Sequence, residues 1–148
     1  MKPSTAIERP LLFVDTWGWI VLADARDPRH GEVVALRRRH TESGILVTTD
    51  YVLDETFTRL FGGSPFAQAE RFCSAVLRAR DTGLVRVEPI TAARLARAYQ
   101  MRLHYRDKPR ISFTDLTSFV VMTELGIRDV LSADTHFAGV QLGFRIAP

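Results

Sequence analysis

The chain has 148 residues, of which 46% are hydrophobic and 25% charged, with nine glycines and seven prolines. This composition indicates one folded domain and excludes a disordered, low-complexity or fibrous chain. A single cysteine, Cys73, excludes an internal disulfide framework and a cysteine-rich zinc module. The apolar runs are too short to span a bilayer and residues 1–10 contain no apolar signal segment, so we expect a cytoplasmic protein.

The hydrophobic pattern predicts strands and helices that alternate along the chain. Short apolar runs predict four strands and allow a fifth, at residues 11–14, 45–47, 84–87, 129–133 and 143–146. Helical spacing, caps and stop residues predict helices over 29–43 and 50–61, from Ser64 (as the cap) onward, from Thr91 to about Tyr105, and over 112–125. This order predicts an N-terminal extension over 1–10 and one α/β domain over 11–148. We expect a parallel sheet of four to five strands with helices on both faces.

The positive charge of the chain comes almost entirely from arginine. The formal net charge is +3, and 18 of the 20 basic residues are arginine, the exceptions being Lys2 and Lys108. The planar donor set of arginine suits phosphate, but a GC-rich genome would also raise the arginine content. We interpret the basic run at 37–39 as a solvated helix face. Arg106, Lys108 and Arg110 share one predicted loop just before Asp115, which could bind phosphate groups or simply face solvent.

Acidic residues follow two of the predicted strands. Asp15 comes directly after the first strand, and Asp134 follows the fourth. Ligands of an open parallel sheet bind beyond the carboxyl ends of its strands, so we expect both carboxylates at that edge. Asp129 precedes the fourth strand and is therefore expected at the opposite edge.

A third acid, Asp115, lies in the first turn of a predicted helix, where it could simply complement the helix dipole. With about 100° per residue, however, it shares a helix face with Phe119 and Met122, which is the apolar side. A carboxylate on that side must be paired, hydrogen-bonded or metal-bound, because burying a bare charge is costly. We find no nearby basic residue for that face, so the pattern favours a metal.

The helix over 50–61 offers a fourth acid, whose identity the residues leave open. Asp54 and Glu55 flank the apolar side of this helix from opposite directions, and Asp54 lies slightly nearer to it. If one of them joins the other three acids, each pair of carboxylates about 5 Å apart costs about 3 kcal/mol at an effective dielectric constant of about 20. Such a cluster must bind divalent cations, take up protons or spread apart. Ligands that are all oxygen favour Mg²⁺ or Mn²⁺ over zinc.

Four segments, in order and over nearly the whole chain, resemble those of PIN domains. They are Val14-Asp15-Thr16, Val52-Leu53-Asp54-Glu55-Thr56, Ile111-Ser112-Phe113-Thr114-Asp115, and Leu131-Ser132-Ala133-Asp134-Thr135-His136-Phe137 with Gly143-Phe144 after it. Within that family the chain is most similar to the compact VapC-like toxins of prokaryotic toxin–antitoxin pairs. The resemblance implies a five-stranded parallel sheet and an acidic Mg²⁺ or Mn²⁺ site that cleaves RNA.

The resemblance also assigns roles to individual residues and implies partners. The implied catalytic metal ligands are Asp15, Glu55, Asp115 and Asp134. It thus selects Glu55 over Asp54. Thr16 occupies the hydroxyl position beside the first acid, and Ser132 a supporting position. The implied partners are an RNA substrate, a cognate antitoxin whose C-terminal segment binds in or near the acidic groove, and a second copy of the chain.

Other functions are weighed against this one. An RNA-processing factor without a toxin role and a non-catalytic RNA-binding module share the fold and stay open. A phospho-acceptor receiver domain needs a lysine near the end of a late strand, and neither lysine lies there. An Asp-x-Asp phosphatase is excluded because Trp17 occupies the second position. We interpret His104 and His136 as structural, since metal-assisted hydrolysis needs no histidine. Trp17 and Trp19 could line the groove, although burial in the core is the favoured interpretation.

Overall fold

The fold is built on a five-stranded sheet. A computed structural model describes residues 8–148; most of the predicted extension, residues 1–7, lies outside this range. The strands are β1 (Leu11–Val14), β2 (Ile45–Thr49), β3 (Val85–Glu88), β4 (Asp129–Leu131) and β5 (Arg145–Ala147). Their order in the sheet is β3-β2-β1-β4-β5, and every neighbouring pair is parallel. The predicted parallel sheet is therefore confirmed, with five strands.

Seven helices connect and flank these strands in the described range. They are α1 (Thr16–Ala23), α2 (His30–Thr41), α3 (Asp50–Gly63), α4 (Phe66–Asp81), α5 (Ala92–His104), α6 (Phe113–Leu125) and α7 (His136–Gly139). Helix α1 packs on α2 and α3, while α5 packs on α6. Connections between parallel strands are right-handed. The connections from β1 to β2 and β2 to β3 run in one direction along the sheet, and the connection from β3 to β4 runs back, so their helices cover opposite faces of the sheet.

Helices α1 and α7 are not predicted by the sequence pattern. Helix α1 has apolar residues on nearly all sides and lacks the amphipathic spacing on which prediction depends, and α7 is a single turn. Gly18 explains how α1 fits against the sheet, since a Cβ atom there would lie 2.7 Å from the backbone oxygen of Leu131. The absence of a side chain thus lets α1 lie directly on β4.

Several predicted boundaries are wrong by a few residues. Ser64 is not the cap of α4, because the helix begins at Phe66 after Pro65 and has no side-chain cap. Strand β4 ends at Leu131 rather than at residue 133, because the chain turns there and the Ser132 hydroxyl binds Asp15. The predicted cap Thr91 is confirmed, whereas Ser112, predicted as the first helical residue, is the cap of α6; each hydroxyl accepts a hydrogen bond from a backbone N–H three residues on.

The strand order places a crevice next to β1. From β1 the chain builds outward through β2 to β3 and then crosses back to β4 and β5 on the other side. The strand order therefore reverses between β1 and β4, which is the topological switch point of the sheet. Open parallel sheets bind ligands there, beyond the carboxyl ends of the strands. A site formed by residues after β1 and β4 is the expected consequence.

Aromatic packing fixes the segment after β4 onto α6. Phe119 and Phe137 are fully buried with ring centroids 5.0 Å apart, and Phe144 lies 5.6 Å from Phe119. This cluster anchors α7, and with it residues 134–136, against the core. Within residues 8–148 no helix has both the length and the apolar character needed to cross a bilayer.

Candidate active site

Four acidic residues line one cavity of about 390 Å³ at the carboxyl edge of the sheet. They are Asp15, Glu55, Asp115 and Asp134. Asp15 joins β1 to α1, Glu55 lies on α3, Asp115 lies in the first turn of α6, and Asp134 follows β4. The structure thus brings together the residues that the sequence singles out, although their roles stay predictions.

A serine hydroxyl couples the two strand-end acids. Ser132 Oγ donates a hydrogen bond of 2.9 Å to Asp15 Oδ2 and accepts one of 2.9 Å from the backbone N–H of Asp134. The Asp15 backbone N–H donates to the Leu131 oxygen at 3.2 Å, which closes the gap between β1 and β4. Ser132 therefore orients Asp15 and fixes the turn that carries Asp134, in keeping with its predicted supporting position.

Asp115 is buried on the core side of its helix, as its spacing predicts. Phe119 and Met122 on the same face are fully buried, and Asp115 itself is 8% exposed. Its backbone N–H is held by the Ser112 hydroxyl at 3.0 Å. No lysine or arginine of the described residues pairs with Asp115, but the ring of His136 approaches from α7, with Nδ1 3.7 Å from Asp115 Oδ2.

The structure distinguishes between the two acids of α3. Glu55 Oε2 accepts a hydrogen bond of 3.1 Å from the Thr16 hydroxyl, whereas Asp54 is exposed and does not line the cavity. Arg59 also contacts Glu55, with Nη2 3.0 Å from Oε1. Sequence reasoning did not single out Arg59, although its spacing of four residues from Glu55 is the signal that could have found it.

Burial and mutual repulsion raise the pKa of two of the acids. Burial raises the pKa of Asp15 to about 6; the hydrogen bond from Ser132 opposes this shift, and the charges of Asp134 and Glu55 add to it. Burial raises the pKa of Asp115 to about 8, and the charges of Asp15 and Asp134 raise it further. Among residues 8–148, no lysine or arginine forms an ion pair with Asp15 or Asp115. The cluster is therefore short of positive charge.

The predicted basic loop borders the acidic cavity through one residue. Arg110 lines that cavity, while Lys108 is paired with Asp107 at 2.9 Å and Arg106 donates to a backbone oxygen of α5. Sequence reasoning missed Arg102, whose guanidinium donates to three carbonyl oxygens: those of Tyr105, Lys108 and Ile111, at 2.5, 2.7 and 2.8 Å. A single side chain on α5 thus holds the loop in place.

The two tryptophans occupy different environments. Trp19 is buried, and its indole N–H donates to the Thr48 hydroxyl at 3.2 Å, as the core interpretation predicts. Trp17 is only half-buried and lines the acidic cavity, with the Arg29 guanidinium 5.4 Å from its ring centroid. Asp129 lies at the opposite edge, as predicted, and is paired with Arg145 at 2.9 Å.

The donor atoms of the cavity suit a divalent cation. One ligand atom each from Asp115, Asp134 and His136 lie within 4.8 Å of one another. Carboxylate oxygens and an imidazole nitrogen are common ligands of divalent metals, and two of these three side chains are half-buried at the cavity rather than fully exposed. The residues present thus fit an ion.

Comparisons with known proteins identify relatives of the chain. The chain is 34% identical over 128 residues to the 23S rRNA-specific endonuclease VapC20 of two Mycobacterium tuberculosis strains, which covers 86% of this chain and 92% of the relative. The crystal structure of M. tuberculosis VapC20, described as a sarcin–ricin loop cleaving toxin, has a TM-score of 0.75 at 32% identity, covering 88% of this chain and 95% of that one.

A second solved structure supports the fold alone. VapBC2 from Rickettsia felis, bound to a promoter DNA fragment, matches with a TM-score of 0.68 at 10% identity, over 93% of this chain and 97% of that one. No protein-family model matches the chain. The 34% sequence identity to VapC20 over most of both chains nevertheless shows which family the chain belongs to, and it confirms the resemblance to VapC-like PIN domains. The chain belongs to the VapC family of PIN-domain endoribonuclease toxins.

Proposed function

We propose that this protein is a metal-dependent endoribonuclease whose active site is the acidic cavity. The observation that carries the proposal is the convergence of four carboxylates on one cavity, two of them with pKa values raised to about 6 and about 8. Perturbed carboxyl groups in a cleft are typical of catalytic sites. The identity of about one third to an RNA endonuclease supports the same chemistry.

The proposed ligands of the ion, Mg²⁺ or Mn²⁺, are the four acids: Asp15, Glu55, Asp115 and Asp134. When bound, a divalent ion supplies two effects, a lower pKa for an attacking water and neutralisation of charge on the phosphate. Ser132 keeps Asp15 oriented through its 2.9 Å hydrogen bond, and Thr16 does the same for Glu55 at 3.1 Å. Orientation of this kind limits the rearrangement that binding requires.

The neighbouring basic side chains are proposed to bind the RNA backbone. Arg110 lines the acidic cavity, and Lys108 and Arg110 line an adjoining cavity of about 520 Å³. Arg106 lies on the same loop and would contribute charge at longer range.

The proposed reaction is hydrolysis of a phosphodiester bond. The oxygen of the attacking water bonds to phosphorus while the bond to the 3′ oxygen breaks, and that oxygen takes a proton. The products are a 5′-phosphate and a 3′-hydroxyl.

The proposed substrate class is a structured loop of large-subunit ribosomal RNA. The support is that the relative with 34% identity is described as 23S rRNA-specific. We also propose that the protein acts in the cytoplasm as the toxin of a pair, restrained by a cognate antitoxin, and that it forms a homodimer. These partners follow from membership of the VapC family.

The test is cleavage of a large-subunit rRNA hairpin by the full chain, with Mg²⁺ or Mn²⁺ and with EDTA. We expect metal-dependent cleavage that leaves a 5′-phosphate. Glu55→Gln is expected to lower the rate by about 100-fold or more, whereas Asp54→Asn, the exposed neighbour, serves as the matched control and leaves it unchanged. Full cleavage in EDTA, or equal effects of the two substitutions, would refute the proposal.

A further inference from the structure

His136 brings a ring nitrogen into the acidic cavity. Its Nδ1 atom lies 3.1 Å from Asp134 Oδ1 and 3.7 Å from Asp115 Oδ2. The ring also lines the adjoining cavity beside Arg110. His136 is therefore the one imidazole in the described range that contacts two of the proposed ligands.

This nitrogen is buried without a hydrogen bond. In the part of the chain that the structure describes, Nδ1 of His136 has no solvent-accessible surface of note and no hydrogen-bond partner, although one third of the side chain is exposed. The 3.1 Å approach to Asp134 is thus a contact without hydrogen-bond geometry. A buried polar atom left in this state is destabilising and calls for a partner that the protein atoms do not provide.

The backbone holds the imidazole at this position. The His136 backbone N–H donates to Asp134 Oδ1 at 2.9 Å, which ties the two residues together. The next residue, Phe137, is fully buried against Phe119 and prevents α7 from moving away. The backbone from which the imidazole extends toward Asp134 is therefore fixed by the fold.

The spacing matches that of neighbouring ligands on one ion. Two ligands at right angles, each about 2.1–2.2 Å from a metal, are about 3 Å apart. The Nδ1–oxygen distances of 3.1 and 3.7 Å are close to this value. All three ligand atoms, including the pair from Asp115 and Asp134, lie within 4.8 Å of one another.

We infer that His136 Nδ1 is a metal ligand together with Asp115 and Asp134, and that it makes the site prefer first-row transition ions over Mg²⁺. The inference rests on the proposed function, since it concerns the same centre. Mg²⁺ prefers oxygen ligands and water, whereas an imidazole nitrogen adds affinity for Mn²⁺ and, more strongly, Co²⁺. The rival explanation is that His136 only holds Asp134 in place, which would affect all ions alike.

The first experiment compares ion affinities by calorimetry on the full chain. His136→Asn keeps a polar side chain near Asp134 but removes the imidazole, and His104→Asn alters an exposed histidine at the end of α5 as the matched control. We expect His136→Asn to weaken Mn²⁺ and Co²⁺ binding by about tenfold or more and Mg²⁺ binding by less than about threefold. Equal losses for the three ions would overturn the inference.

The second experiment observes the nitrogen directly. Pulsed electron paramagnetic resonance of the wild-type protein loaded with Mn²⁺ is expected to show coupling to one ¹⁴N nucleus, which changes when histidine is labelled with ¹⁵N. Manganese bound without nitrogen coupling would overturn the inference and leave the proposed metal centre standing. A wild-type protein that binds none of the three ions would overturn both. This measurement does not depend on the folding of any variant.

Discussion

Glu88 and Asp115 are two buried carboxylates at the carboxyl edge of the same sheet, 7% and 8% exposed, yet their surroundings are opposite. Glu88 ends β3 and contacts Arg94 at 2.7 Å and Arg86 at 2.5 Å. Burial alone would raise its pKa, but the hydrogen bond from Arg94 and the charge of Arg86 outweigh burial and lower the pKa. Asp115 has acids as neighbours, and its pKa rises to about 8.

This difference separates a structural acid from a site. Glu88 is neutralised within the protein by Arg86 and Arg94, and Arg94 also bridges to Glu124 on α6 at 3.0 Å. Asp115 and Asp15 are buried without an arginine or lysine partner among residues 8–148, and burial together with neighbouring acids raises the pKa of each. A cation bound from solution can supply the positive charge that Asp15 and Asp115 lack within the protein. Burial of an acid is thus uninformative until its partners are known.

The largest expected effect is that of Asp115→Asn. RNA cleavage should fall by about 1,000-fold or more, because a principal charge of the site is lost. The free energy of unfolding of the metal-free protein should rise by about 1–3 kcal/mol at pH 7, because a buried acid with a raised pKa is replaced by a neutral group. Single-turnover cleavage and urea denaturation measure the two quantities. A stable variant with wild-type activity would contradict the assignment.

Arg94→Met tests the role of Glu88, the buried acid that is paired within the protein. It leaves buried Glu88 with only Arg86 as an ion-pair partner and Glu124 with only Arg97, so the free energy of unfolding should fall by about 3 kcal/mol. Metal affinity should stay within about threefold of wild type, since the acidic cavity is untouched. Urea denaturation and calorimetry give the two values, and a large loss of metal affinity in a folded variant would show that the two regions are coupled.

The stability of the metal-free protein should depend on pH with a definite sign. Asp15 and Asp115 have folded-state pKa values of about 6 and about 8, above the ordinary value of 3.8. The folded protein therefore binds more protons than the unfolded chain, and stability decreases as the pH rises from about 5 to about 8.5. The two-unit shift of Asp15 corresponds to about 3 kcal/mol in all, of which about half is lost above pH 5.

Urea denaturation in EDTA across this pH range is the measurement. Added Mn²⁺ should reduce the decrease, and Asp115→Asn should flatten it. Glu88 does not contribute to the change in stability over this range, because its lowered pKa means that it titrates at more acidic pH. Stability that increases between pH 5 and 8.5 would contradict the assigned shifts.

The smallest expected effect is that of Ser132→Ala. The variant loses the hydroxyl between Asp15 and the Asp134 backbone, which should cost about 1 kcal/mol of stability. Cleavage should fall by about tenfold, because a poorly oriented ligand remains present. Thr117→Ala is a suitable control, since its hydroxyl is buried on α6 and bonds only within that helix. Equal effects on cleavage would contradict an orienting role for Ser132.

Much of the fold could be predicted because strands and helices alternate with clear spacing. The parallel sheet follows from short apolar runs, and the positions of Asp15, Asp134 and Asp129 follow from which end of a strand they occupy. Helix α1 escaped prediction because it is apolar on nearly all sides, and it rests on the sheet through the bare Cα of Gly18. That contact depends on tertiary structure and leaves no periodic signal.

The site could be predicted only in part. Spacing correctly placed Asp115 on the core side of α6, but helical geometry could not choose between Asp54 and Glu55, because the choice depends on the Thr16 hydroxyl 39 positions away. The contacts of His136 likewise depend on how α7 packs beside α6. Such contacts between distant segments are fixed by packing and cannot be read from local pattern.

The most direct test of the central claim is a crystal structure of the full chain grown with Mn²⁺, with anomalous scattering recorded at the manganese edge. We expect an anomalous peak in the cavity, within bonding distance of carboxylate oxygens of Asp115 and Asp134. No peak in that cavity, in crystals of protein whose cleavage activity requires Mn²⁺, would contradict it.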